Sequence, residues 1–295
     1  MTVTLDSIEM EFSTTKWGLR HPTKCPVAFR KMNSSWRNIV RNGIRPTYFG
    51  PMLTKVLRRL APDSSGAARA WAEDRAVEID GWCSQSNEPL WNETKLKCAE
   101  IRGDGEQRLN ALPGAADVGG GGAYPLLYFL VRLLRPQVVV ETGVAAGWSS
   151  RAILEAMNVN EEGNLYSSDF PYFRLKNPER YIGVVVPERL RGRWAVDTRG
   201  DQIALPAISR EVPKIDLFHY DSDKSARGRE FALKEVIPKM AAGSLILMDD
   251  IQDCTYFRDM VHSASLEPTV FRFQGKYIGM CTVGTCDLKE RNTEL

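Results

Sequence analysis

From Pro136 onward, short unbroken apolar runs alternate with helix-like stretches, and this pattern limits the available folds more than any other feature of the chain. Residues 138–140 (VVV) precede SSRAILEAM; residues 164–169 read NLYSSD, 193–197 RWAVD, and 215–221 IDLFHYD before REFALKEVIPKM. Residues 244–250, SLILMDD, then lead into a helix expected to run through Met260. Strands that are apolar throughout, rather than in alternation, are buried on both faces, so they imply a parallel sheet sandwiched between helices. Two closing strands, VFRF at 270–273 and YIGMCTV at 277–283, flank Gln274-Gly275-Lys276 and read as a hairpin that places an antiparallel strand at or near the sheet edge. The class is α/β.

Upstream the character changes. The 295 residues, 43% hydrophobic and 26% charged, suffice for one large domain or one domain with an appendage, which excludes a disordered or fibrous chain. The formal net charge is only +2, so no bulk polycation exists and nucleic acid is not an expected partner. Residues 12–62 nevertheless hold eleven Lys or Arg and no Asp or Glu; residues 1–62 therefore carry +8 and the remainder −6. Such a stretch suits a phosphorylated substrate, an anionic lipid surface or a protein partner, but a solvated extension is the plainer expectation. Residues 63–66 read as a loop, 67–79 as a helix, and Gly119 to Gly122 as a flexible joint entering a helix that ends before Pro136. The expected organisation is an extension and helical cap at 1–115, a catalytic domain at 116–285 and a tail at 286–295. No apolar run approaches the roughly 20 residues of a membrane span, and the acidic N-terminus (Asp6, Glu9, Glu11) is unlike a signal peptide. Six scattered cysteines without a C-x-x-C pair suit reduced thiols in a cytoplasm better than a zinc site or a disulfide framework. Oligomeric state is left open.

In open α/β sheets ligands bind beyond the carboxyl ends of the strands, and this chain places glycines and acids at each such end. Residues 141–147, with Glu141, Gly143 and Gly147, spell E-x-G-x-x-x-G, in which glycines permit a tight turn and close backbone approach; the spacing is not the G-x-G-x-x-G of a dinucleotide fold. Asp169 ends the second strand, and Gly200-Asp201 follows the third. In this order the motifs resemble the class I S-adenosylmethionine-dependent methyltransferases over roughly residues 122–284. The resemblance implies a doubly wound, mostly parallel seven-stranded sheet with a terminal antiparallel strand. It also implies that residues 141–147 cradle the methionine part of S-adenosylmethionine, that Asp169 holds the ribose hydroxyls, and that Gly200 and Asp201 lie by the adenine.

A second constellation is Asp221 and Lys224 at one strand end and Asp249-Asp250 at the next. Three carboxylates facing one lysine carry a net −2, costly unless a cation neutralises it, and hard oxygen donors suit Mg²⁺ or a similar divalent ion. The arrangement resembles the catechol and caffeoyl-coenzyme A type cation-dependent O-methyltransferases, which implies Asp221, Asp249 and Asp250 as metal ligands and Lys224 as base. The third ligand there is usually Asn, where this chain has Asp250. The resulting expectation is O-methylation of a small-molecule hydroxyl, phenolic, sugar or natural product. The alternatives are a cation-independent methyltransferase with Asp221 or Lys224 as base, and a non-catalytic scaffold on the same fold. His219 reads as a core histidine, His262 as a surface residue and Trp148 as a packing residue; Tyr124, Phe170, Tyr172 and Phe173 are candidates for a substrate pocket or plain core.

Overall fold

A computed structural model describes residues 37–39, 41–42, 65–112 and 121–284. The tail at 286–295, Cys25, Cys286 and most of the basic stretch at 12–62 lie outside the described residues. The elements run α1 (Ser65–Arg75), β1 (Ala76–Glu78), α2 (Ile79–Asn110), α3 (Tyr124–Leu134), β2 (Val138–Thr142), α4 (Trp148–Asn160), β3 (Asn164–Ser168), β4 (Trp194–Asp197), α5 (Asp201–Glu211), β5 (Ile215–Tyr220), α6 (Ala226–Val236), β6 (Met240–Met248), α7 (Tyr256–Ser263), β7 (Thr269–Phe273) and β8 (Lys276–Thr282).

The described strands form one eight-stranded sheet in the order β1-β7-β8-β6-β5-β2-β3-β4. β8 runs antiparallel to both β6 and β7, and the other pairings are parallel. This is the doubly wound, Rossmann-like methyltransferase architecture expected from the sequence, with one strand more than expected. The additional strand is β1, whose Val77 pairs with Phe271. A helix was expected over 67–79; it ends at Arg75 because the next three residues, centred on β-branched Val77, complete the sheet edge.

Period-two side-chain alternation sorts the strands between two cores. Val139, Leu217, Leu247 and Ile278 face α2, α3 and α4. Val138, Val140, Phe218 and Met248 face α1, α5, α6 and α7. In α2 the buried residues Trp91, Thr94, Cys98, Ile101 and Gly105 recur every three or four positions, which is the stripe a helix needs to lie on a core. Its path bends at Asn87 (φ −164°, ψ 91°), just before Pro89, and the Asn87 Oδ1 accepts from the Leu90 N–H at 3.1 Å, so the second half starts with its own cap. Chain on either side of residue 115 thus shares one core, since Ile79, Cys83 and Trp91 cluster with Leu126, Phe129 and Phe271.

Candidate active site

The strand order reverses between β2 and β5, so the carboxyl ends of these two strands open onto the crevice. Just beyond β2 the backbone turns with φ +83° at Gly143, where a Cβ would lie 2.0 Å from the Asp221 carbonyl oxygen. No other residue fits between these two strand ends. Gly147 (φ +93°) backs onto the Gly183 Cα and starts α4. The Glu141 carboxylate points inward and is fully buried; its Oε2 accepts from Ser150 Oγ at 2.5 Å and Ser167 Oγ at 2.9 Å. It fixes the loop from behind rather than lining the crevice.

The remaining Glu141 oxygen, Oε1, sits 3.5 Å from Nδ1 of His219, its cross-strand neighbour. Burial disfavours charge on His219, but Glu141, Asp221 and Asp249 outweigh it and raise its pKa above the ordinary histidine value. His219 is therefore a core residue, as expected, with an acidic partner. Asp169, at the end of β3, accepts from the Ala145 N–H at 3.0 Å and the Phe170 N–H at 2.7 Å, which ties the second strand end to the glycine loop. Gly200 leads into α5. The Asp201 carboxylate accepts from Ser168 Oγ at 2.6 Å and Ser222 Oγ at 2.5 Å, joining the ends of β3 and β5. Trp148 packs where a side chain on Gly105 of α2 would collide with its ring, and it stacks near Tyr124 with ring centroids 6.0 Å apart.

Asp221, Asp249 and Asp250 offer carboxylate oxygens that all lie within 4.8 Å of one another. Asp249 Oδ1 accepts from the Asp250 N–H at 2.9 Å, while its Oδ2 is buried without a hydrogen-bond partner. Burial, reinforced by Asp221 and Asp250, pushes the Asp249 carboxyl up to about 7. Asp250, in the left-handed region at φ +52°, turns the other way. Against the upward push of burial, Lys224 and Lys276 hold it down at about 2. The fully buried Arg229 of α6 steadies this turn, donating to the carbonyl oxygens of Asp249 (3.2 Å) and Asp250 (2.7 Å).

Lys224 bonds Asp221 Oδ1 directly and lies 2.9 Å from Asp250 Oδ2. Burial favours its neutral amine, but the three carboxylates override it and raise its pKa above the ordinary lysine value. A second lysine, Lys276, which the sequence pattern places only in the turn of the closing hairpin, also reaches the cluster. Its Nζ lies 3.1 Å from Asp250 Oδ1 and 3.2 Å from Oδ2. The crevice therefore holds two ammoniums against three carboxylates, not one. The signal was present in the topology: β8 is antiparallel to β6, so the start of β8 necessarily lies beside the carboxyl end of β6. The donor chemistry, hard oxygens with one buried oxygen lacking a partner, fits a divalent cation.

Residues 140–251 match the family model of a methyltransferase domain. The chain carries a methyltransferase domain. That span takes in all of the glycine loop, Asp169, Asp201 and the three clustered aspartates, and leaves Lys276 outside it. A search of curated proteins finds no match to the chain. Among solved structures, the chain is similar to the O-methyltransferase TomG from Streptomyces achromogenes, involved in tomaymycin synthesis, in complex with SAM (17% identity, 65% of this chain and 90% of that one, TM-score 0.49). It is also similar to the O-methyltransferase from Bacillus cereus in complex with SAH (17% identity, 72% of this chain and 100% of that one, TM-score 0.45). A methyltransferase from Geobacter sulfurreducens is similar at 19% identity, over 62% of this chain and 90% of that one, with a TM-score of 0.44.

Proposed function

We propose that the methyltransferase domain is an S-adenosylmethionine-dependent O-methyltransferase acting on a small-molecule hydroxyl, with a divalent cation assisting. The observation that carries this reading is the partnerless buried oxygen of Asp249 beside Asp221, at the reversal of strand order and next to the glycine loop. When bound, S-adenosylmethionine supplies an electrophilic methyl group and the cation a Lewis acid for the acceptor oxygen. Gly143 and Gly147 let the backbone approach the donor's methionine part, and Asp169 accepts hydrogen bonds from its ribose hydroxyls; Gly200 and Asp201 border the adenine. Asp221, Asp249 and Asp250 are the candidate ligands. Lys224 is the proton acceptor in this scheme, and it serves only in a state where Asp221 and Asp250 no longer hold its ammonium. The unpaired thiols of Cys83, Cys98, Cys254 and Cys281 support a reducing compartment, and no helix among the described residues is long and apolar enough to cross a membrane.

The cation-independent alternative draws on a specific observation, the second ammonium of Lys276, which already offsets part of the carboxylate charge. Two measurements decide. Calorimetry with S-adenosylmethionine should show micromolar binding, about −8 kcal/mol, weakened by roughly 1.5–3 kcal/mol in Asp169→Ala through loss of charge-assisted hydrogen bonds. Methyl transfer to a panel of phenolic and sugar hydroxyls should then fall by orders of magnitude in EDTA. Absence of cofactor binding sinks the proposal; full activity in EDTA transfers it to the cation-independent form.

A further inference from the structure

Asp250 differs from its two neighbours in having no oxygen to spare. Its Oδ1 accepts from Lys276 at 3.1 Å and from Gln252 Nε2 at 3.1 Å. Its Oδ2 meets Lys224 at 2.9 Å and Lys276 at 3.2 Å. Asp249 Oδ2 is buried and partnerless, and it lies 3.1 Å from the point that a Cβ on Gly122 would occupy; Asp221 Oδ2 lies 3.6 Å from the same point. Two carboxylates thus present oxygens to one small space lined by a residue without a side chain, while the third is turned toward ammoniums.

We propose that Lys276 is an internal counter-ion that keeps Asp250 out of the ligand set, so that Asp221 and Asp249 alone hold a divalent cation. The inference rests on reading the crevice as a cation site and goes beyond it by dividing the three aspartates into two ligands and one ion-pair partner. Lys276 suits this task because it is the first residue of β8, paired with Phe273 of the preceding strand, so its backbone is fixed relative to β6. Lys224 does not divide the carboxylates this way, since it bonds Asp221 as well as Asp250. A lysine that merely added positive charge nearby would weaken a cation's hold on all three carboxylates alike. One that occupies Asp250 makes that carboxylate matter for the cation only after the lysine is gone.

A double-mutant cycle on the full chain separates these cases, read as Mn²⁺ dissociation constants by calorimetry and electron paramagnetic resonance. Lys276→Gln should bind Mn²⁺ at least tenfold more tightly than wild type, and Lys276→Arg should keep the wild-type value. Asp250→Asn should weaken Mn²⁺ at least tenfold more in the Lys276→Gln background than in wild type. Lys276→Met serves as a second neutral variant, and S-adenosylhomocysteine binding together with thermal melting reports folding of each. If Mn²⁺ binds but Asp250→Asn costs the same in both backgrounds, this inference falls and the cation site stands. If no variant binds Mn²⁺, both fall together.

Discussion

The carboxyl group of Asp249 should make a large contribution to how the stability of the metal-free protein varies with pH. Its pKa is pushed up from 3.8 to about 7, so between those values the folded chain binds a proton that the unfolded chain does not. Stability from this group is therefore greatest at low pH and declines as pH rises from near 4 through 7. Asp250 works in the opposite sense, losing stability as pH falls from 3.8 toward about 2, while His219, whose pKa is raised above 6.5, acts in the same sense as Asp249 at the upper end of the window. Asp249→Asn should consequently raise the melting temperature by several degrees at pH 8, equivalent to about 2–4 kcal/mol, and give no gain at pH 4. Melting curves at the two pH values test this; an equal effect at both would show that folding does not raise the Asp249 pKa above its unfolded value. The acids themselves were legible in the sequence because strand ends are where an α/β sheet exposes its chemistry. Lys276 was not, because its proximity to Asp250 arises from the pairing of β8 with β6, 26 residues apart in the chain at the point of contact.

Between elements, the least expected junction is the short helical segment containing residues 37–39 and 41–42. It belongs to the basic stretch that composition marked as a solvated extension, yet its Asn42 is buried. The Asn42 Nδ2 donates to the carbonyl oxygens of Phe173 (3.1 Å) and Leu175 (3.2 Å), and Asn38 donates to that of Arg174 (3.1 Å). These carbonyls lie in the connection that follows Asp169, so at least this part of the stretch borders the proposed cofactor side of the crevice. Composition reports charge, whereas two asparagines reading three consecutive carbonyls leave no periodic or charge signal. Asn42→Ala should remove both hydrogen bonds, one of them to the buried Leu175 carbonyl, and loosen the docking by about 1–3 kcal/mol. The readout is trypsin cleavage at the exposed Arg37 and Arg41, which should quicken severalfold while the melting temperature of the main body holds. Unchanged cleavage would mean that other contacts hold the segment. The α1–β1 junction taught a similar lesson: alanine-rich sequence favours helix, but a place in the sheet beside β7 decides the three residues after Arg75.

For the molecule as a whole, the separate catalytic domain proposed at 116–285 meets a core that does not stop at residue 115. Removing residues 1–115 would strip β1 from the sheet and take Trp91, Cys98 and Ile101 off Leu126 and Phe129. That fragment should be insoluble or lack a cooperative melt, whereas a chain lacking only residues 1–62 should melt cooperatively and retain S-adenosylmethionine binding. A cooperative melt from the shorter fragment would restore the boundary near 115. Fold class was readable because a buried parallel sheet needs unbroken apolar strands; the extent of the core was not, since β1 spans only 3 residues and gains its partner from the far end of the chain. That pairing also sets a timetable for synthesis. Glu78 and Arg272, which face each other across β1 and β7, are 194 residues apart. At roughly 5–20 residues per second, α1 and the apolar stripe of α2 emerge from the ribosome some tens of seconds before the hairpin that completes their side of the sheet, and over that interval they are a natural client for chaperones.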